Sequence, residues 1–172
     1  MAFEDILIEK LYCYCIPEIQ FEAIQEILER ESFDVSLLLK PKSLRYWDNA
    51  AYVLSKMKPD RLLPIIDGLF NWIVDLNDPG AETIWELLNV FPLDAFMPAY
   101  ERAIKKTIST RNSSSAGYLM EYIHNGKAKR EDFSDDSLYD KLIEVYKTPF
   151  HPLKGRSQAL KNQEDGSKDH ND

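Results

Sequence analysis

The sequence predicts an all-α fold, a short right-handed stack of about three helical hairpins, on three observations. Apolar residues recur at spacings of three and four through most of the chain, no stretch sustains the period-two alternation of a half-buried strand, and one segment repeats itself 34 residues further on. With 172 residues, 44% of them apolar and 29% charged, the chain is long enough for one domain with a real core and short for two.

The first clear element runs from about Pro17 to Arg30. At about 100° per residue from Ile19, the residues Ile19, Phe21, Ala23, Ile24, Ile27 and Leu28 fall on one face, and Glu18, Glu22, Gln25, Glu26 and Glu29 fall on the other. Like charges three and four apart weaken an isolated helix slightly, so the spacing of Glu18, Glu22 and Glu26 is not explained by helix stability. A solvated acidic face is the ordinary reading. A docking strip for a basic partner, made of Glu18, Glu22, Glu26 and Glu29, is the functional one.

Trp47, Ala50, Ala51, Leu54 and Met57 predict the next helix, and Leu62, Ile65, Ile66, Leu69, Ile73 and Leu76 the one after it. Asn77-Asp78-Pro79-Gly80 then closes one helix and opens another, with Asp78 placed to cap and Pro79 suited to a first helical position. Ile84, Leu87, Leu88 and Phe91 continue the pattern. A further start stands at Phe133 to Ser137, where acidic residues precede Leu138, Leu142, Ile143 and Tyr146. Beyond Lys154 only Ala159 and Leu160 are apolar, so the expected organisation is one helical-repeat domain over 1–153 and a disordered polar tail over 154–172.

The internal repeat aligns Val53–Pro64 on Leu87–Pro98 without a gap. In each copy an apolar helix end enters a short turn, an aspartate (Asp60, Asp94) stands where a helix begins, and a proline (Pro64, Pro98) follows four residues later. A fainter echo runs from Ile27-Leu28 through Phe33-Asp34 to Leu37-Leu38. A period of this size is the mark of stacked helical hairpins.

The prolines near helix starts resemble those of HEAT-type repeats, which form an α-α superhelix. More specifically, Lys42–Ala51, Leu62–Ile66 and Trp72–Ala81 resemble a family of uncharacterised bacterial HEAT-like single-domain proteins that carry a Trp-x-x-Asp-x-Asn-x-Pro-Gly segment between two helices. The resemblance covers roughly residues 42 to 125. Asp78 stands where that family has an aromatic residue. What the resemblance implies is a fold and a role in binding, with Trp72, Asp75 and Asn77 as its motif residues.

Little in the sequence points to a reaction. There is no phosphate loop, no Gly-x-Ser-x-Gly, no His-Glu-x-x-His and no Gly-x-Gly-x-x-Gly. His124, His151 and His170 stand far apart, so no metal or other cofactor is expected, and Cys13-x-Cys15 reads as two thiols in a reducing cytosol. Asp75 and Asn77 read first as turn residues, and as a ligand site second. Trp47 and Trp72 lie on apolar stripes, whereas Trp85 lies beside one, at an edge between hairpins where a partner reaches it.

Charge is segregated, −9 over residues 1–100, +5 over 101–130 and −4 over 131–172, for a net charge of −8. A chain this acidic repels a phosphate backbone on average, and the basic middle segment reads as a solvated face or an intramolecular partner for acidic neighbours. The acidic opening Met1–Asp5 is unlike a signal peptide, and no apolar run approaches a membrane span, so a soluble, cytoplasmic protein is expected. The expected function is a non-enzymatic protein-binding module with a basic protein partner, of immunity or adaptor type. The rival from another class is a nucleic-acid-processing or repair-type helical-repeat enzyme.

Overall fold

A computed structural model describes residues 3–148, and the regular elements of this span are all helical. The expected polar tail at 154–172 lies outside the described residues. Helix α1 (Phe3–Glu9) buries Leu7 and Ile8, and α2 (Pro17–Glu29) begins with Pro17 and buries Ala23, Ile24 and Ile27. Proline suits that position because the first N–H of a helix has no partner anyway.

Helix α3 (Leu44–Ser55) buries Ala50, Ala51, Val53 and Leu54. The short α4 (Pro59–Leu62) passes through a 3-10 turn at Leu63–Ile65 into α5 (Ile66–Trp72). Helices α6 (Ala81–Asn89), α7 (Leu93–Thr110), α8 (Ser113–His124) and α9 (Asp136–Lys147) complete the described chain. The start expected over Phe133–Ser137 is found within that stretch: Asp135 precedes α9 and its carboxylate accepts the Ser137 N–H at 2.9 Å.

The internal repeat has a structural counterpart. Three residues join α3 to α4 and three join α6 to α7, and Asp60 and Asp94 are each the second residue of their helix. The copies part at the proline. Neither Pro64 nor Pro98 can supply an N–H to the carbonyl four residues back, and the first copy tightens to 3-10 geometry while α7 continues through Pro98.

Three expectations are corrected. The helix expected to reach Leu76 ends at Trp72, because the Asp75 carboxylate accepts the Asn77 N–H at 2.9 Å and folds the chain into a turn. The following helix starts at Ala81, so Gly80 rather than Asp78 is its cap residue. The faint echo over residues 27–38 yields only a 3-10 turn at Val35–Leu38, capped by the Asp34 carboxylate on the Ser36 N–H.

Helix α3 packs on α6, α5 on α7 and α7 on α9, while α8 lies against both α7 and α9. Phe70, Phe96, Tyr100 and Tyr122 meet at the centre with ring centroids 5.1 to 6.2 Å apart. The Tyr100 hydroxyl donates to the Leu119 carbonyl at 2.7 Å and the Tyr122 hydroxyl to the Trp85 carbonyl at 3.2 Å. Burial pushes both phenols well above their ordinary pKa.

Hydrogen bonds between distant parts of the described chain keep to one range of separations. Those joining residues more than twenty positions apart span 30 to 41 residues, from the Asp34 N–H on Glu4 to the Ser115 hydroxyl on the Val74 carbonyl. The Arg102 guanidinium on Asp67 and the Lys106 ammonium on Asn71 both span 35, one helical turn apart on the same pair of helices.

Candidate functional site

The turn after α5 is built from its own sequence. Asp75 Oδ1 accepts both the backbone and the side-chain N–H of Asn77, each at 2.9 Å. Trp72 is 1% exposed, lies edge-on to Trp47 at 6.0 Å and donates its indole N–H to the Pro79 carbonyl at 3.1 Å, so it supports the turn from the core. Gly80 has φ +75°, and a Cβ there would lie 2.5 Å from the Ala51 Cβ and 2.9 Å from the Trp47 carbonyl oxygen. Asp78, placed by its sequence to cap, instead binds the Lys40 ammonium at 2.6 Å, and that ammonium lies 4.7 Å over the Trp47 ring.

Beside this turn lies a cleft of about 330 Å³ between α5, α7 and the start of α8. Phe70, Ile73, Val74, Ala103 and Leu119 give its apolar wall. Lys40, Asn71, Asp75, Asp78, Lys106, Thr107, Thr110, Asn112 and Ser115 give its polar one. Asp75 was legible as a candidate from its motif. Lys40 and the adjacent pair Lys106-Thr107 were not, since no local spacing relates them to one another or to Asp75 and only the tertiary packing brings them to one cleft.

The acidic face of α2 is a second, separate surface. Glu18, Glu22 and Glu29 are exposed, while Glu26 is half-buried and pairs with Arg30 at 2.5 Å. The same guanidinium lies 4.4 Å over the Phe3 ring. The helix turns less of its apolar stripe inward than the wheel expects: Phe21 is 63% exposed, and Ile16 and Tyr14 just before it are exposed as well. The helical neighbours of Phe21 are Pro17, Glu18, Ile24 and Gln25, so the exposed ring stands at the border between the apolar stripe and the acidic face.

Trp85 belongs to neither surface. It is half-buried, stacked on Tyr122 at 5.3 Å, and its indole N–H is enclosed without a hydrogen-bond partner. The structure therefore brings Trp72, Asp75 and Asn77 to one turn and puts Glu18, Glu22, Glu26 and Glu29 on another element, with Trp85 packed against α8.

Much of the basic middle segment is engaged within the chain. Arg102 meets Asp67 at 2.9 Å, Arg130 holds both carboxylate oxygens of Asp140 at 2.9 and 2.7 Å, and Lys105 lies in the field of Asp135. The Lys127 ammonium caps the end of α6 by donating to the Asn89 and Phe91 carbonyls at 2.8 and 2.6 Å, and burial lowers its pKa. Among the described residues no group of three or more His, Cys, Asp or Glu is placed to hold a metal ion. No helix among them is long and apolar enough to cross a membrane.

Residues 46–152 match the sequence model of a family described as a domain of unknown function, DUF5071. No curated protein and no solved structure matches the chain.

Proposed function

Because the chain belongs to the DUF5071 family, whose description assigns no activity, function has to be read from its own surfaces, and we propose that it is a non-enzymatic protein-binding module. The observation that carries this reading is the outer face of α2, where Phe21 stands exposed on the same helix as the exposed carboxylates of Glu18, Glu22 and Glu29, with Ile16 exposed just before the helix begins. Aromatic and aliphatic anchors ringed by charge are what a protein interface uses, the anchors for affinity and the charges for steering. The partner that fits has a basic surface with an apolar centre, such as a basic toxin held by an immunity-type protein or a basic segment held by an adaptor.

The reading includes a HEAT-like stack of helical pairs. Its support is the packing of α3 on α6 and of α5 on α7, together with long-range hydrogen bonds that reach about one repeat length. The nucleic-acid alternative draws little support, because Arg102, Lys127 and Arg130 are committed to carboxylates and carbonyls of the same chain.

The test pairs capture of the partner with charge reversal. Glu22→Lys with Glu29→Lys places cations at exposed positions where the helix tolerates them, the first between Glu18 and Glu26 and the second at the C-terminal end. Association with the captured partner should slow by about tenfold or more at low salt, and the difference should fade as salt screens the field. Equal rates at low ionic strength remove the α2 face from the mechanism.

A further inference from the structure

The cleft beside α8 has a chemistry of its own, independent of the α2 surface. Lys106 stands where the 330 Å³ cleft adjoins a smaller hollow of about 180 Å³, and its ammonium is held at 2.7 Å by Asn71 Oδ1, a neutral amide. The neighbouring cations differ: Arg102 is paired with Asp67 and Lys40 with Asp78, so their charges are compensated and that of Lys106 is not. A lysine ammonium has three donors, and two of these remain for a ligand.

The next residue adds a polar group without a partner. Thr107 is 5% exposed, lines the cleft, and its hydroxyl makes no hydrogen bond within the described chain. The N-terminal end of α8 completes the rim, with Asn112 and Ser115 in the lining and the Asn112 side chain capping the Ser115 N–H at 3.0 Å. A helix N-terminus favours negative charge. The Asp75 carboxylate in the same lining makes a multiply charged anion unfavourable, while that of Asp78 is compensated by Lys40.

From this arrangement we infer that the cleft binds a small organic monocarboxylate, its head on the Lys106 ammonium and Thr107 hydroxyl and its apolar body against Phe70, Val74 and Leu119. The carboxylate is that of a free acid or the C-terminus of a peptide, and the two sources share this chemistry.

The test is amide chemical-shift titration of the full chain with 4-methylpentanoate, its neutral amide, inorganic phosphate, and a leucine-ended tetrapeptide with free or amidated C-terminus. The acid should give saturable shifts centred on Val74, Thr107, Asn112 and Ser115. The uncharged amide and phosphate should bind at least tenfold more weakly. A tetrapeptide that binds tighter than the acid, and only with its C-terminus free, assigns the site to peptide ends, and the reverse order assigns it to free acids. Lys106→Met, which keeps the aliphatic stem of an exposed side chain, should weaken the acid tenfold or more. Thr107→Val, of the same shape, should weaken it severalfold, with thermal midpoints near that of the parent. Equal binding of acid and amide, preference for phosphate, indifference to Lys106→Met, or no shifts at the cleft at tens of millimolar acid each overturns the inference.

Discussion

Gly80 is clamped between Trp47 and Ala51 at a backbone angle that side chains rarely adopt, and Gly80→Ala adds a clash to that strain. The variant should lose about 2 kcal/mol or more of stability in urea titration, with helices α3 and α6 the first to loosen. A loss below about 0.5 kcal/mol would show that the two helices separate freely. Tyr100 and Tyr122 make a different residue-scale claim. Burial keeps their phenols protonated in the folded chain, whereas the unfolded chain releases those protons above about pH 10, so stability must fall as pH climbs past that value. Of the nine tyrosines, these two should ionise only as helical circular dichroism is lost, and Tyr122→Phe should flatten the alkaline slope. Ionisation of all the tyrosines with helix intact would contradict the burial. The sequence placed Trp72 on an apolar stripe, and it is buried; the pairing of Glu26 with Arg30 went unread because the wheel puts Arg30 beside the apolar residues, from which its long side chain reaches back to the carboxylate.

Helix boundaries were legible where a polar side chain closes the first turn. The Asp135 carboxylate accepts from the Ser137 hydroxyl and N–H groups, which hold its pKa below the ordinary aspartate value. A carboxyl lowered in the fold contributes stability that is present above its unfolded pKa and is lost as pH falls through the folded one. Asp135→Ala should therefore lower the thermal midpoint by about 3–5 °C at neutral pH and by less near pH 2. An equal drop at both would mean that the carboxylate charge plays no part. Boundaries were misread where the deciding contact is remote or competes with a repeated apolar pattern. Leu76 fits the spacing of α5, but the Asp75–Asn77 bonds turn the chain first; Asp78 fits a cap, but Lys40, far back in sequence, takes its carboxylate. The residues of the cleft carry no joint signal, because Lys40, Asn71, Lys106 and Asn112 lie in four separate stretches.

Across the described residues as a whole, the all-helical class was legible from period alone, and helices α3 and α6, like α5 and α7, pack in pairs separated by about the 34 residues of the self-match. The N-terminal helices are coupled to the rest more lightly than α7, α8 and α9 are to one another. Ile27→Ala, at a fully buried position, should cost about 2–4 kcal/mol, and hydrogen exchange should place the loss in α1 and α2 while amides of α7 to α9 keep their protection. Uniform acceleration along the chain would mean that the molecule unfolds as one cooperative unit.

The narrow span of the long-range hydrogen bonds bears on how the protein is made. Among the described residues each such bond joins positions no more than 41 apart, so for this part of the chain a newly emerged helix waits for only a few dozen further residues before it meets its hydrogen-bonding partner. Synthesis at about 5–20 residues per second brings that partner within seconds, and the chain can acquire its bonds in the order in which it is translated.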